Sequence, residues 1–175
     1  MIAEKTRLLN EMYEDIFLKQ GKGWFRIISG SMRPLIRIND KILARKVTSS
    51  EVAPGDIILF KSSGLFVTHR VLKILHRDGE TMILQCGDAG VNASYVSPES
   101  VFGKVVAIEK DGRILRLDKG RGRVLNDLYA YKAFLSYRFG VRGYVIKQWL
   151  RNKPGYHSIR TIYRTLRSRD FLSKG

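Results

Sequence analysis

Between Trp24 and Ile108 the chain is broken into short apolar runs, each closed by turn-forming residues. The runs are Lys41–Val47, Asp56–Phe60, Leu65–Leu75, Met82–Gln85 and Val101–Ile108. Between and around them stand Asn39-Asp40, Pro54-Gly55-Asp56, Ser62-Ser63-Gly64, Asp78-Gly79, Gly87-Asp88 and Asp111-Gly112. Gly, Asn and Asp accept the positive φ of tight turns and Pro fixes its own φ, so each cluster reverses the chain. Such punctuation predicts a mostly antiparallel β-domain over 24–112, uninterrupted by repeats or low-complexity sequence.

The flanks read differently. Leu8, Leu9, Met12, Tyr13, Ile16 and Phe17 draw one helical stripe, with Glu11, Glu14 and Asp15 on the other side. This predicts an amphipathic helix within 1–23, ended by Gly21 and Gly23 and capping the core. Beyond Arg113–Leu117 and a break at Gly120–Gly122, helical spacing returns in two stretches. One runs through Val124, Leu125, Leu128, Tyr129, Lys132 and Leu135; the other runs through Val141, Tyr144, Val145, Gln148 and Trp149. After Pro154-Gly155, Ile159, Ile162, Tyr163 and Leu166 form a third stripe opposite Arg160, Arg164, Arg167 and Arg169.

Charge divides the chain near the same place. The formal net charge is +16. Residues 1–112 hold sixteen basic and thirteen acidic side chains, whereas 113–175 hold sixteen basic and three acidic ones. The expected organisation is therefore an N-terminal amphipathic helix, a β-domain and a basic helical tail over 113–175.

Other residue types narrow the chemistry. A single cysteine, Cys86, forms no internal disulfide and fits a reducing compartment. His69, His76 and His157 are scattered without metal-ligand spacing, so neither a metal nor another cofactor is expected. No apolar run is long enough for a transmembrane helix, and the N-terminus lacks a signal-peptide layout. The expected location is the cytoplasm, with attachment to a membrane surface left open.

Three residues together suggest catalysis. The apolar run Trp24–Ile28 ends in Ser29-Gly30-Ser31 and is stopped by Pro34, which presents a hydroxyl on a backbone turn. In Leu65–Leu72 the period of two puts His69 on the face of Val67 and Val71. Asp88 follows in Gly87-Asp88. Each has an ordinary structural reading: a tight turn, a core histidine, a Gly-Asp turn. Hydroxyl nucleophile catalysis needs a base and often an acid that orients it, and Ser31, His69 and Asp88 supply one of each. Lys73 as a rival base reads better as a solvated strand residue, and Cys86 as a small buried hydrophobe.

Ser29-Gly30-Ser31-Met32-Arg33-Pro34, Asn39-Asp40, Pro54-Gly55-Asp56, Thr68-His69-Arg70-Val71, Gly87-Asp88 and Phe102-Gly103-Lys104-Val105 follow one another over 24–108. In that order they resemble the boxes of the type I signal peptidases. Histidine rather than lysine before Arg70 is similar to the archaeal and endoplasmic-reticulum-type branch. The resemblance implies a signal-peptidase-like β-fold and a serine endopeptidase acting on a leader or signal-bearing precursor peptide. Ser31 would be the nucleophile, His69 the general base, and the Ser31 N–H part of an oxyanion hole assisted by the Ser29 hydroxyl. Met32 would line the substrate cleft, with residue packing in the core as its other reading. The sequence departs from the family in three ways. Asn92, Ala93 and Ser94 stand where a second aspartate is common, which leaves Asp88 to orient His69. Asn39 replaces a glycine, and the family's N-terminal membrane anchor is missing.

Two other classes stay in view: a self-cleaving regulator of the same fold, and an idle binding module. For the basic tail, a membrane surface or protein partner ranks above nucleic acid, because no nucleic-acid module accompanies the charge.

Overall fold

The computed structural model describes residues 14–90 and 92–151, the last eleven of these by backbone alone. Most of the predicted first helix and the stripe after Pro154 lie outside the described residues. A helical segment over 14–20, α1, leads into eight strands: β1 Lys22–Arg26, β2 Lys41–Arg45, β3 Ile57–Ser62, β4 Leu65–Arg77, β5 Glu80–Cys86, β6 Ser94–Val96, β7 Val101–Lys110 and β8 Arg113–Arg116. One long helix, α2, spans Gly120–Arg151.

The strands form one antiparallel sheet in the order β1-β2-β7-β3-β4-β5-β6, with β8 also paired to β7. The punctuation seen in the sequence makes the turns. Ser63, Asp78 and Asp111 each take positive φ ahead of Gly64, Gly79 and Gly112, closing the β3–β4, β4–β5 and β7–β8 hairpins. The mostly-β expectation therefore holds, and it fails at the edges. Gly23 does not end a helix; Gly21, at φ +67° and bonded back to Phe17 O, ends α1, and Gly23 already pairs with Ala44 in β1. Of the predicted α1 stripe, Phe17 is buried while Ile16 is exposed.

The boundary near Gly112 also moves. Gly112 is the turn of a hairpin, and β8 extends the sheet through pairs from Lys110↔Arg113 to Ala107↔Arg116. The compact unit ends at Tyr137, and Arg138 opens a second. The expected break at Gly120–Gly122 is instead the first turn of α2. A Cβ on Gly122 would overlap the Arg116 carbonyl, so only glycine lets the helix start this close to β8. Nor does α2 divide in two: an interior Gly140 costs about 1 kcal/mol relative to Ala, too little to end a helix.

Strand β3 explains how the sheet is buried on both sides. Its run Ile57-Ile58-Leu59-Phe60 is apolar without alternation and buried throughout. Ile57 and Leu59 join a core with Met32, Leu35, Ile36, Ile42 and Ile108, and Phe17 of α1 completes it. Ile58 and Phe60 join a second core with Val52, Val71 and Ile83. A third, smaller cluster sets Leu72, Leu84 and Cys86 against Ala133 of α2. Burying a strand's two faces in separate cores is what a continuous apolar run permits. It fixes β4, hydrogen-bonded to β3 through Ile58↔His69 and its neighbours.

Candidate active site

Strand β1 ends at Arg26, and the next residue is pinned. Ile27 N–H donates to Asp40 O (2.9 Å) and Asn39 N–H to Ile27 O (2.8 Å). Asn39 takes φ +74°, the conformation its short polar side chain tolerates. From this anchor Ile28-Ser29-Gly30-Ser31 emerges, and a turn follows in which Arg33 N–H reaches Gly30 O and Ile36 N–H reaches Met32 O. Met32, Leu35 and Ile36 are buried in the first core and fasten the loop from beneath. Met32 packs in the core and also lines the cleft beside Ser31.

Ser31 is half-buried. Its Oγ lies 3.3 Å from Ser29 Oγ, and its carbonyl accepts from Ala89 N–H at 2.9 Å. Among the described residues nothing accepts the Ser31 N–H. A Cβ on Gly87 would stand 2.6 Å from Ser31 O and 3.1 Å from Ser31 Cβ, so the serine loop rests directly on Gly87 backbone.

His69 approaches the same place from the sheet. Strands β4 and β5 pair up to Arg70↔Cys86, and the next residue on each is His69 and Gly87. Gly87, the residue after the last paired position of β5, adjoins Ser31, and no hydrogen bond links the His69 and Ser31 side chains. In unliganded sites such bonds are often long and tighten with substrate.

Period two decides what each residue near His69 touches. His69, Gln85 and Ser94 project from one face of three adjacent strands and form a chain. His69 Nδ1 lies 2.5 Å from Gln85 Oε1, and Gln85 Nε2 donates to Ser94 Oγ at 2.6 Å. An amide oxygen only accepts, so Nδ1 carries the ring proton and Nε2 keeps its lone pair. Burial lowers the His69 pKa below its ordinary 6.5, opposed by the Gln85 bond and the Asp88 charge. A pKa lowered in this way favours the neutral ring at pH 7, in the tautomer a general base requires.

Asp88 does not take the role expected of it. Its side chain, like that of Arg70, is almost wholly buried, and the two meet through paired bonds of 2.7 Å, Nε to Oδ1 and Nη2 to Oδ2. Arg70 Nη1 also donates to Gly55 O and to Asn126 Oδ1 of α2, both at 2.8 Å. The reason is parity: Asp88 lies two residues beyond Cys86, on the Arg70 face of the sheet, so its carboxylate is spent on the buried guanidinium. Gln85 holds the ring instead.

The rivals stand aside. The Lys73 side chain is exposed, and burial, with Asp88 nearby, pushes the buried Cys86 thiol upward, away from the thiolate a nucleophile needs. The described residues contain no cluster of metal-ligating side chains.

Ser29, Ser31 and Met32 open onto a cleft of about 470 Å³. Trp24–Ile28 of and after β1 form one wall; Leu65–Thr68 of β4 form the other. Among the described residues this part of β4 pairs with β3 on one side only, since its ladder with β5 begins at Arg70. An extended peptide laid in the cleft has a strand edge beside it. No helix among the described residues is long and apolar enough to cross a membrane. Comparison with protein families and with curated proteins yields no match to this chain.

Proposed function

We propose that this chain is a serine endopeptidase of the signal-peptidase-like type, cleaving a leader or signal-bearing precursor peptide in the cytoplasm or at a membrane's periphery. The observation that carries the reading is the His69–Gln85–Ser94 chain. It keeps a neutral imidazole with Nε2 unprotonated next to the end of the β4–β5 ladder, where the chain continues into the Gly87 backbone on which Ser31 rests.

The precursor lies extended in the cleft along the open edge of Leu65–Thr68. His69 Nε2 takes the proton of Ser31 Oγ as that oxygen attacks the scissile carbonyl carbon. The oxyanion that forms accepts hydrogen bonds from the Ser31 N–H and the Ser29 hydroxyl, donors worth about 3 kcal/mol each where they are preorganised. The imidazolium then gives its proton to the leaving amine as the C–N bond breaks. Water enters and attacks the acyl carbon as His69 takes its proton, and the imidazolium returns that proton to Ser31 Oγ as the ester C–O bond breaks. Gln85 holds the ring through Nδ1 throughout; it is a positioning residue and exchanges no proton with substrate.

Mass-spectrometric comparison of protein N-termini in cells carrying the native chain, Ser31→Ala or His69→Ala tests this. New N-termini that require both residues support the proposal and identify the precursor. Identical N-termini in all three strains, with the protein expressed, overturn it.

A further inference from the structure

The outward face of α2 has no role in the chemistry above. One side of this helix is accounted for: Asn126 accepts from Arg70, Tyr129 packs on the first core, and Ala133 and Tyr137 pack on the third. On the opposite side Val124, Leu128, Tyr131 and Leu135 recur at spacings of four, three and four, which aligns them in one stripe. Val124 is 70% exposed, Leu128 61% and Tyr131 63%. Phe134 and Leu125, also exposed, widen the stripe on its two sides.

We propose that this face of α2 docks on an anionic lipid surface, with the helix axis in the plane of the membrane. The charges select that occupant. Arg121 and Lys132 flank the stripe on one side, and Arg123 and Asp127, 3.9 Å apart, lie on the other, leaving the face net positive. Apolar side chains bounded by long cationic ones match the boundary between acyl chains and anionic headgroups. A nucleic acid would use the cations and leave the apolar stripe in water. A second copy would bring two positive faces of a +16 chain together.

The test is co-sedimentation of the full chain with vesicles of phosphatidylcholine alone or with phosphatidylglycerol admixed, at low and high salt. The expected result is binding to the anionic vesicles, weakened by salt, and lost by about tenfold or more in Leu128→Glu. Leu128 is exposed and outside the site, so circular dichroism should show that variant folded. The proposal is overturned if Leu128→Glu binds vesicles as the native chain does, or if the native chain does not sediment with anionic vesicles. It is also overturned if Leu128→Glu instead abolishes a dimer or a DNA mobility shift and leaves vesicle binding intact.

Discussion

His69 and Arg70 are neighbours in one strand and live in different chemistry. The Arg70 face is charged, dry and closed, with a guanidinium held by Asp88, Gly55 and Asn126 and almost no solvent contact. The His69 face is neutral and half-open, with an imidazole held by an amide that is itself held by a surface serine. One set of contacts builds the site and the other tunes it. Ion pairing fixes the Gly87-Asp88 loop on which Ser31 rests, and uncharged hydrogen bonds set the tautomer of the imidazole. A carboxylate against His69 would favour its protonated form; an amide orients the ring with less bias toward charge.

The contrast breaks most visibly at Asp88. Asp88→Ala leaves Arg70 buried without its counter-ion, which costs about 3–5 kcal/mol. Denaturant unfolding should record that loss, and replacing the pair together, Arg70→Met with Asp88→Leu, should recover much of it. If Asp88→Ala unfolds like the native chain and loses only activity, Asp88 belongs to the His69 side after all.

Next comes the loop between the faces. Gly87→Ala puts a methyl 2.6 Å from Ser31 O, a backbone atom that must move, and a displacement near 1 Å costs about 10²-fold in rate. Rates on the precursor, with thermal unfolding measured alongside, separate displacement of Ser31 from general damage.

The finer adjustment is at Gln85. Gln85→Ala removes one hydrogen bond to the ring, about 1.4 kcal/mol or tenfold in kcat. Gln85→Glu should restore the orientation while raising the His69 pKa, shifting the acid limb of the pH–rate profile to higher pH. In the native chain that limb should fall below pH 6.5, since burial holds the His69 pKa under its ordinary value, and the rate should be level above it. A rate still rising above pH 8 would point to a lysine.

The same lowered pKa fixes a sign for stability. Below pH 6.5 the unfolded chain binds a proton at His69 that the folded chain resists, so stability falls as pH is lowered through that range. His69→Gln should flatten this part of the stability–pH curve. An unchanged slope would contradict the burial of the ring.

What could be read in advance follows from how far apart the interacting residues lie. The strands showed because a hairpin is written in adjacent residues, an apolar run beside its turn. Ser31 and His69 stood out as candidates for the same reason, one at the end of an apolar run and one breaking an apolar face. Gln85 and Ser94 carried no such mark. Their role depends on registers between separate strands, Val71↔Gln85 and Gln85↔Ser94, and β6 is only three residues long. Asp88 misled because the sequence gives its distance from Cys86 but not the strand facing it; Arg70↔Cys86 decides the face. The tail misled through glycine. Gly120 and Gly122 looked like breaks, yet glycine also serves where a helix must start against another backbone.

Gln85 holds His69 neutral, protonated on Nδ1 and basic on Nε2. Nitrogen NMR of the imidazole in the full chain tests it without a substrate. The prediction is an Nδ1–H tautomer at pH 7, titrating below 6.5 and losing its fixed tautomer in Gln85→Ala. A ring protonated on Nε2, or one that titrates above 6.5, would contradict it.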